Sequence, residues 1–447
     1  MSGLRFPDPL LTSFREAMLD DAPLEACGVA FATHDERTGR FIVREATAVP
    51  DAAYAEKTAV SASLLPDYVI EISNRCRMTG DSAVLAHTHP AARGRPVFSE
   101  ADDAGEADLL RYLGRRGGGG PHAALVIGPE GCSARQLGTD RELPVWQVGR
   151  ELCQASTDDS EADPEGRFDR QVRAFGRRGQ AILRNLHIGV VGVGGTGSIV
   201  TQQLAHLGIG ALTLIDPDLI EISNLNRVVG SVMEDVGRSK IDVAARMALA
   251  IDPSCAVRAL QGDVVDADVG DALVPLDFVF SCTDSHASRL VVAHVAYQHL
   301  VPAIDMGVLI AAVGGRVTHV AGRTQMFAPG LACPLCTRLL DFDAIRRETA
   351  TPEQRAADRY IPGAGEPQPA VVSLNSVVAS LAVTMFLGAV AGVPATARFQ
   401  NYDAARGTVR VAEADREPHC PLCSDAALAR GRRAVMPVRP VSKQATE

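Results

Sequence analysis

The stretch His187-Ile-Gly-Val-Val-Gly192-Val-Gly194-Gly195-Thr-Gly197, continuing into Ser198-Ile-Val-Thr-Gln-Gln-Leu-Ala-His-Leu207, decides the fold of the longer half of this chain. Its opening apolar run predicts a strand buried on both faces of a parallel sheet. Glycines 192, 194, 195 and 197 then let the backbone turn sharply and press against a phosphate at the N-terminus of the next helix, expected through Ile199 to Leu207. A second strand, Ala211-Leu-Thr-Leu-Ile215, ends in Asp216, at about the twenty-residue distance where a Rossmann-type fold sets a carboxylate on ribose hydroxyls. Taken alone, these residues say only that a nucleotide binds, and an NAD-dependent oxidoreductase fits them.

The residues after the second strand favour ATP. Asp216-Pro-Asp218-Leu-Ile-Glu-Ile-Ser223-Asn224-Leu-Asn226-Arg227 places amide and guanidinium donors just past the ribose carboxylate, and Lys240 comes thirteen residues past Arg227. A dinucleotide site holds its diphosphate mainly through backbone N–H groups, whereas a site that stabilises charge moving onto departing pyrophosphate needs such donors. Lysine is otherwise nearly absent, with Lys57 and Lys443 the only others among 44 basic residues, so Lys240 stands out for its compact ammonium. Asp284, in Phe280-Ser-Cys-Thr-Asp284-Ser-His-Ala-Ser-Arg289 at the end of a further apolar run, is well placed to hold magnesium.

Two cysteine pairs, Cys333-Pro-Leu-Cys336 and Cys420-Pro-Leu-Cys423, each carry two thiolates on one short turn, the spacing of a closed tetrahedral zinc site. One shared structural zinc would tie the two ends of an 83-residue segment together and sets the end of this domain near residue 425.

In combination these motifs resemble the ThiF/MoeB family, E1-like enzymes that adenylate the C-terminal glycine of ubiquitin-like proteins. The resemblance runs from about residue 166 to 425. It implies that Asp216 binds ribose with the glycine loop and Asp218 beside it, that Ser223, Asn224, Asn226, Arg227 and Lys240 surround the phosphates, and that Asp284 holds Mg2+. Phe168-Asp-Arg170-Gln171 is similar to the family's Arg-Gln segment, whose arginine reaches a neighbouring subunit's ATP, so a homodimer is implied. Ser285 stands where many relatives carry asparagine. No cysteine occurs between Cys336 and Cys420, the stretch where thioester-forming relatives keep their nucleophile. Adenylation without an in-chain thioester is therefore expected, the activated glycine passing to an E2-like or sulfurtransferase partner.

The first third carries separate chemistry. His87-Thr-His89 comes after the strand-like Ala83-Val-Leu-Ala86, and a separation of two sets both imidazoles on one face of a strand. Asp102 comes at a helix start, Phe98-Ser99-Glu-Ala-Asp102. Two histidines and a carboxylate leave one zinc position open for water, the stoichiometry of catalysis. Such a water needs a base, and Glu25, in Leu24-Glu25-Ala-Cys27-Gly28, is the upstream carboxylate with motif context. These residues resemble the JAMM/MPN (JAB) metalloprotease family, which cleaves after the C-terminus of ubiquitin-like proteins, over about residues 8 to 140. By that resemblance His87, His89 and Asp102 bind zinc, Glu25 is the general acid/base and Ser99 helps stabilise the oxyanion. The segment between His89 and Ser99 is longer than the family usually shows.

Composition frames both halves. The 447 residues, 46% of them hydrophobic, suffice for two cores, and a net charge of −10 argues against nucleic acid or an anionic membrane as partner. The first residues lack a signal-peptide or transit-peptide pattern, and ten cysteines agree with a reducing compartment, so a cytoplasmic enzyme is expected. The uncharged stretch Pro367 to Ala397 includes an apolar run from Val377 to Val393 of nearly membrane-span length, but the Asn375, Ser376, Ser380 and Thr384 within the stretch predict a helix buried in the core. The expected organisation is an α/β chain: a small JAB-type α+β zinc domain over 1–150, an acidic linker over 151–166, a Rossmann-like doubly wound ThiF/E1 domain over 167–425 with a structural zinc site of four cysteines, and a basic, disordered tail over 426–447. The Gly117–Gly120 run is expected as an exposed turn. One substrate class, a β-grasp ubiquitin-like protein ending in glycine, would serve both sites of such a prokaryotic enzyme. The rival readings are a binding module that recognises the same tail without chemistry, and an NAD-dependent oxidoreductase fused to a metal-binding domain.

Overall fold

The computed structural model describes residues 3–116, 120–155, 166–313, 316–350 and 369–439. The chain forms two compact units, one of Met1–Asp159 with 298–300 and 426–434, the other of Ser160–Tyr297, Val301–Asp425 and Val435–Glu447. Residues 156–165 of the expected acidic linker and 117–119 of the glycine run fall outside the described residues.

In the first unit the order is β1 (Gly3–Pro7), α1 (Asp8–Leu19), β2 (Cys27–Asp35), β3 (Arg40–Ala48), β4 (Tyr54–Lys57), β5 (Ala62–Leu64), α2 (Pro66–Thr79), β6 (Ser82–Thr88), α3 (Glu100–Arg116), β7 (Ala123–Ile127), β8 (Cys132–Gln136), β9 (Val145–Val148) and β10 (Leu152–Gln154). Eight of these strands make one sheet, β10-β9-β1-β3-β2-β6-β7-β8, and β4 and β5 pair as a separate ribbon. Alternation of apolar side chains loads both faces. Leu11, Phe14 and Met18 of α1 pack with Leu4, Phe6 and Phe41, while Ile72, Cys76 and Leu113 from α2 and α3 pack with Val29, Phe31 and Ala83. Helix α2 opens with Pro66 in its first turn and stops at Gly80, whose left-handed φ of 69° lets its N–H return to Cys76 O. The unit extends beyond residue 150: β10 pairs antiparallel with β9, and Ala155 N donates to Val145 O at 2.8 Å. The expected boundary at 150 is corrected accordingly.

The second unit runs α4 (Asp169–Asn185), β11 (His187–Val191), α5 (Gly195–Leu207), β12 (Ala211–Ile215), α6 (Lys240–Ile251), β13 (Ala256–Leu260), α7 (Ala267–Asp271), β14 (Phe278–Ser281), α8 (His286–Gln298), β15 (Ala303–Val313), β16 (Arg316–Phe327), α9 (Phe342–Thr349), α10 (Val372–Val390), β17 (Phe399–Asp403) and β18 (Thr408–Val411). Its sheet has the order β13-β12-β11-β14-β15-β16-β17-β18. The first five strands are parallel and the last three join antiparallel. The parallel part reverses direction of build between β11 and β14, which makes the carboxyl ends of those two strands the expected ligand crevice. Helix α10, uncharged and apolar, packs against α5, β15 and β16, as its interspersed polar residues predict. Phe386 of α10 meets Phe278 and Phe280 of β14 edge to face at 5.0 and 5.5 Å between centroids.

The stretch from 426 departs from its expected disorder as far as residue 439. Within the first unit, Arg432 and Arg433 pair with the buried Asp35 and Asp81 at 3.2 and 2.6 Å. In the second, Arg439 pairs with Asp263 and Asp266 at 3.0 and 2.6 Å. Basic residues in a Pro-containing tail read as solvated, but here folded carboxylates, two of them buried, give them partners. Residues 440–447 lie outside the described part.

Candidate active sites

In the first unit the ligand candidates converge. Register pairs Cys27 of β2 with His87 of β6, and Ala26 N donates to Thr88 Oγ1 at 2.8 Å, which seats the segment bearing Glu25 beside the imidazoles. Because β6 ends at Thr88, His87 and His89 flank its last residue and turn the same way. Their Nε2 atoms stand 3.2 Å apart, His87 Nε2 is 3.1 Å from Asp102 Oδ1, and His89 Nε2 is 3.6 Å from Asp102 Oδ2. Ligand bonds of about 2.0–2.2 Å in a tetrahedron require edges of about 3.3–3.6 Å, so these three donors suit zinc with a fourth position left open. Burial lowers the His89 pKa, and the neighbouring His87 lowers it further, so the neutral, ligating imidazole is favoured. Glu25 is shifted the other way: burial raises its pKa, and the charge of His87 pulls it back down. Ser99 Oγ donates to Asp102 Oδ2 at 2.8 Å, and the same oxygen accepts from Ser99 N at 2.6 Å. Ser99 thus starts α3 and steadies Asp102. Phe98, edge-on to His87 at 6.2 Å and covered by the Arg135 guanidinium at 4.0 Å, lines an adjoining cavity of about 500 Å3 with Arg95, Val97 and Ser133.

In the second unit the glycine loop sits at the carboxyl end of β11. Gly192 has φ 83° and lies so close to the end of β14 that a Cβ would stand 2.8 Å from Cys282 O. Asp216, 5% exposed at the end of β12, accepts from Val193 N at 2.8 Å and from Asp218 N at 2.9 Å. Its carboxylate therefore fixes the loop and still has lone pairs for two hydroxyls. Burial raises its pKa and the Lys240 ammonium opposes that rise. Lys240, the first residue of α6, pairs with Asp218 at 2.8 Å. The Arg227 stem passes over the loop, its Cδ 3.5 Å from where a Gly195 Cβ would sit. Its guanidinium is turned onto Ser223 O and Asn226 Oδ1. Asn224 is buried and closes its own turn, accepting from Glu221 N at 3.2 Å. Asp284 is exposed just beyond β14 on the same crevice edge. Gly194 has open space where a side chain would be, a surface free for a phosphate to approach. The loop, the Asp216 carboxylate, one ammonium, one guanidinium and a solvent-facing carboxylate fit a magnesium-bound nucleotide triphosphate. Arg170 lies exposed on the first turn of α4.

The four cysteines also meet. Cys333 Sγ is 3.7 Å from Cys336 Sγ and 3.5 Å from Cys420 Sγ, and Cys336 Sγ is 3.5 Å from Cys423 Sγ. Bonds of about 2.3 Å in a tetrahedral thiolate site imply edges of about 3.8 Å, so the cluster could hold one metal ion. Hydrogen bonding from Cys333 and its other neighbours lowers the Cys423 pKa, which favours a thiolate there.

With this geometry in place, residues 168–422 match the ThiF family and residues 7–141 match prokaryotic homologs of the JAB domain. The chain belongs to the ThiF family. Outside its JAB domain it is similar to the molybdopterin-synthase adenylyltransferase of Escherichia coli (strain K12), 28% identical over 262 residues that make up 58% of this chain and 95% of that protein. It is 30% identical over 266 residues to the sulfur carrier protein adenylyltransferase of Thermus thermophilus, covering 58% of this chain and 90% of that one. Ubiquitin-like modifier-activating enzyme 5 of Drosophila willistoni is 30% identical over 159 residues, 33% of this chain and 39% of its own.

Sequence reasoning overlooked several residues of the ThiF crevice. Asn375, 4% exposed on α10, packs against the loop, its Nδ2 2.3 Å from where a Gly195 Cβ would sit. A lone amide in an uncharged apolar helix was the available signal. Asp305 of β15, fully buried, takes Arg289 and Arg323, and nothing in its local sequence announces this.

Proposed function

We propose that this protein handles one ubiquitin-like protein at two sites, cleaving after its C-terminal tail with the JAB site and adenylating the exposed glycine with the ThiF site. The observation that carries the reading is the convergence, at the carboxyl ends of β11, β12 and β14, of the glycine loop, Asp216, Lys240 and Asp284, in a chain whose other unit assembles two histidines and an aspartate. A cytoplasmic homodimer, with Arg170 reaching its partner's nucleotide, belongs to the same proposal.

In the ThiF site ATP is the substrate. An oxygen of the glycine carboxylate attacks the α-phosphorus, the bond to the β-phosphate oxygen breaks, and the products are an acyl adenylate and pyrophosphate. Asp216 holds the ribose hydroxyls, Lys240 leaves Asp218 for the phosphates, and Arg227 turns from its backbone acceptor to the departing pyrophosphate. Magnesium, held by Asp284, would neutralise charge on the phosphates. In the second unit, the cysteines outside the metal cluster are Cys255 and Cys282; Cys282 packs its sulfur 3.9 Å from Met306 Sδ, and burial raises the pKa of both. Neither is poised as a nucleophile, so the adenylate passes to a partner's thiol or to sulfur.

In the JAB site a zinc on His87, His89 and Asp102 would supply Lewis-acid polarisation. Glu25 takes the proton of the attacking water and delivers it to the departing amine nitrogen, and its raised pKa suits both duties. Ser99 must release Asp102 to donate to the developing oxyanion. A second zinc, held by Cys333, Cys336, Cys420 and Cys423, would serve structure.

The experiment is pyrophosphate exchange into ATP with a small β-grasp protein ending in glycine. Exchange that requires the intact tail and is lost on Asp284→Ala supports the reading; absence of exchange, or tighter binding of NAD than of ATP, sinks it. Cleavage of a tail extension that disappears in Glu25→Gln tests the peptidase half.

A further inference from the structure

We propose that Asp305 is a positioning residue for the adenylation reaction, acting through Arg289 to hold the turn that presents Asp284 to the nucleotide's magnesium. The inference rests on the adenylation reading of the ThiF crevice. Asp305 lies on β15 in parallel register with Ser281 of β14, and Ser281 Oγ donates to its Oδ1 at 2.7 Å. That oxygen also accepts from Arg289 Nε at 3.2 Å, and Arg323 donates to the other. The carboxylate is 0% exposed.

The rest of the Arg289 fork does not reach for solvent. Nη2 donates to Thr283 O at 2.8 Å and Nη1 to Asp284 O at 3.2 Å. A single planar guanidinium thus joins a buried carboxylate to two consecutive carbonyls of the turn after β14, and only a fork of fixed geometry makes all three contacts. Asp305 is itself anchored from behind. Arg323 donates its Nη1 to Gln325 Oε1 at 3.1 Å, and Gln325 Nε2 donates to Ala332 O at 3.0 Å, directly before Cys333. The turn is therefore braced against the segment that carries the first cysteine pair.

The consequence concerns Asp284. Its side chain faces solvent, so its aim depends on its backbone, and that backbone is held by Arg289.

The test uses full-length protein, Mn2+ as the metal probe and a non-hydrolysable ATP analogue. Binding of Mn2+ is followed by loss of the free-ion electron paramagnetic resonance signal, and analogue binding without metal is followed by calorimetry. In Asp305→Asn and Arg289→Lys, metal binding in the presence of the analogue is expected to weaken about tenfold, with metal-free analogue binding within about twofold of the wild type. Arg289→Lys keeps a cation on Asp305 but loses the fork, so it serves if Asp305→Asn does not fold. Unchanged Mn2+ affinity in a folded variant overturns the positioning role, as does an equal loss with and without metal. A wild-type protein that binds no analogue at all instead overturns the adenylation reading on which the inference stands.

Discussion

Individual residues in the nucleotide loop differ in what they tolerate. A Cβ on Gly197 would lie 1.8 Å from Gly192 O, a backbone atom that cannot move without opening the loop, whereas one on Gly194 would meet nothing. Gly197→Ala is therefore expected to lose about 2–4 kcal/mol of stability in denaturant melts, in the range of strained or overpacked sites. Gly194→Ala should melt within about 1 kcal/mol of the wild type and yet bind ATP at least tenfold more weakly, because its methyl occupies the surface left to the phosphates. ATP affinity unchanged in a folded Gly194→Ala protein would contradict this placement of the triphosphate. Residues also differ in how far local sequence reveals them. Asp216, Lys240 and Asp284 stand in motifs whose spacing already states a purpose. Asp305 and Arg289 do not, because a buried carboxylate and its guanidinium, 16 residues apart on a strand and the helix before it, are brought together by sheet register.

Among the elements, α10 has a composition that permits two environments. Its length and mean hydropathy of 1.7 would suit a bilayer, and half of its most apolar window is buried within the protein. The packing favours a core role: Phe386 sits among Phe278 and Phe280, and Asn375 at the other end packs against the glycine loop. Phe386→Ala removes a fully buried ring and is expected to destabilise the second unit by about 3–5 kcal/mol. Chemical denaturation measures the loss, and a change below about 1 kcal/mol would show that the aromatic cluster does not hold α10 to the sheet. Strands β11, β12 and β14 were legible from their apolar runs, as was the glycine turn between β11 and α5. The order of the strands was not, since periodicity reports which face is buried and says nothing of which neighbour buries it.

For the whole molecule, metal content gives the most direct measure of both units. Elemental analysis of purified protein is expected to return two zinc ions per chain, one from His87, His89 and Asp102 and one from the four cysteines. His87→Ala should return one with little change in melting temperature, because the open JAB site is formed by residues already fixed by β6 and α3. Cys420→Ser should also return one, but with a large fall in melting temperature, because the cluster joins chain segments 84 positions apart from Cys336 to Cys420 and metal binding there is coupled to folding. Two ions in His87→Ala, or an unchanged melting curve in Cys420→Ser, would reverse those assignments.

Sequence by itself determined which groups stand ready for chemistry: glycine, carboxylate, lysine, histidine and thiolate types at close spacings, because backbone geometry converts short spacings directly into shared faces and turns. The tertiary structure alone decided how those groups are held. It paired Lys240 with Asp218, joined Arg289 to Asp305, and folded the basic stretch at Arg432 and Arg433 onto buried aspartates. The physical reason is common to all three. A charged or polar side chain takes the nearest partner that offsets its desolvation, and which partner is nearest depends on contacts between elements that no local pattern encodes.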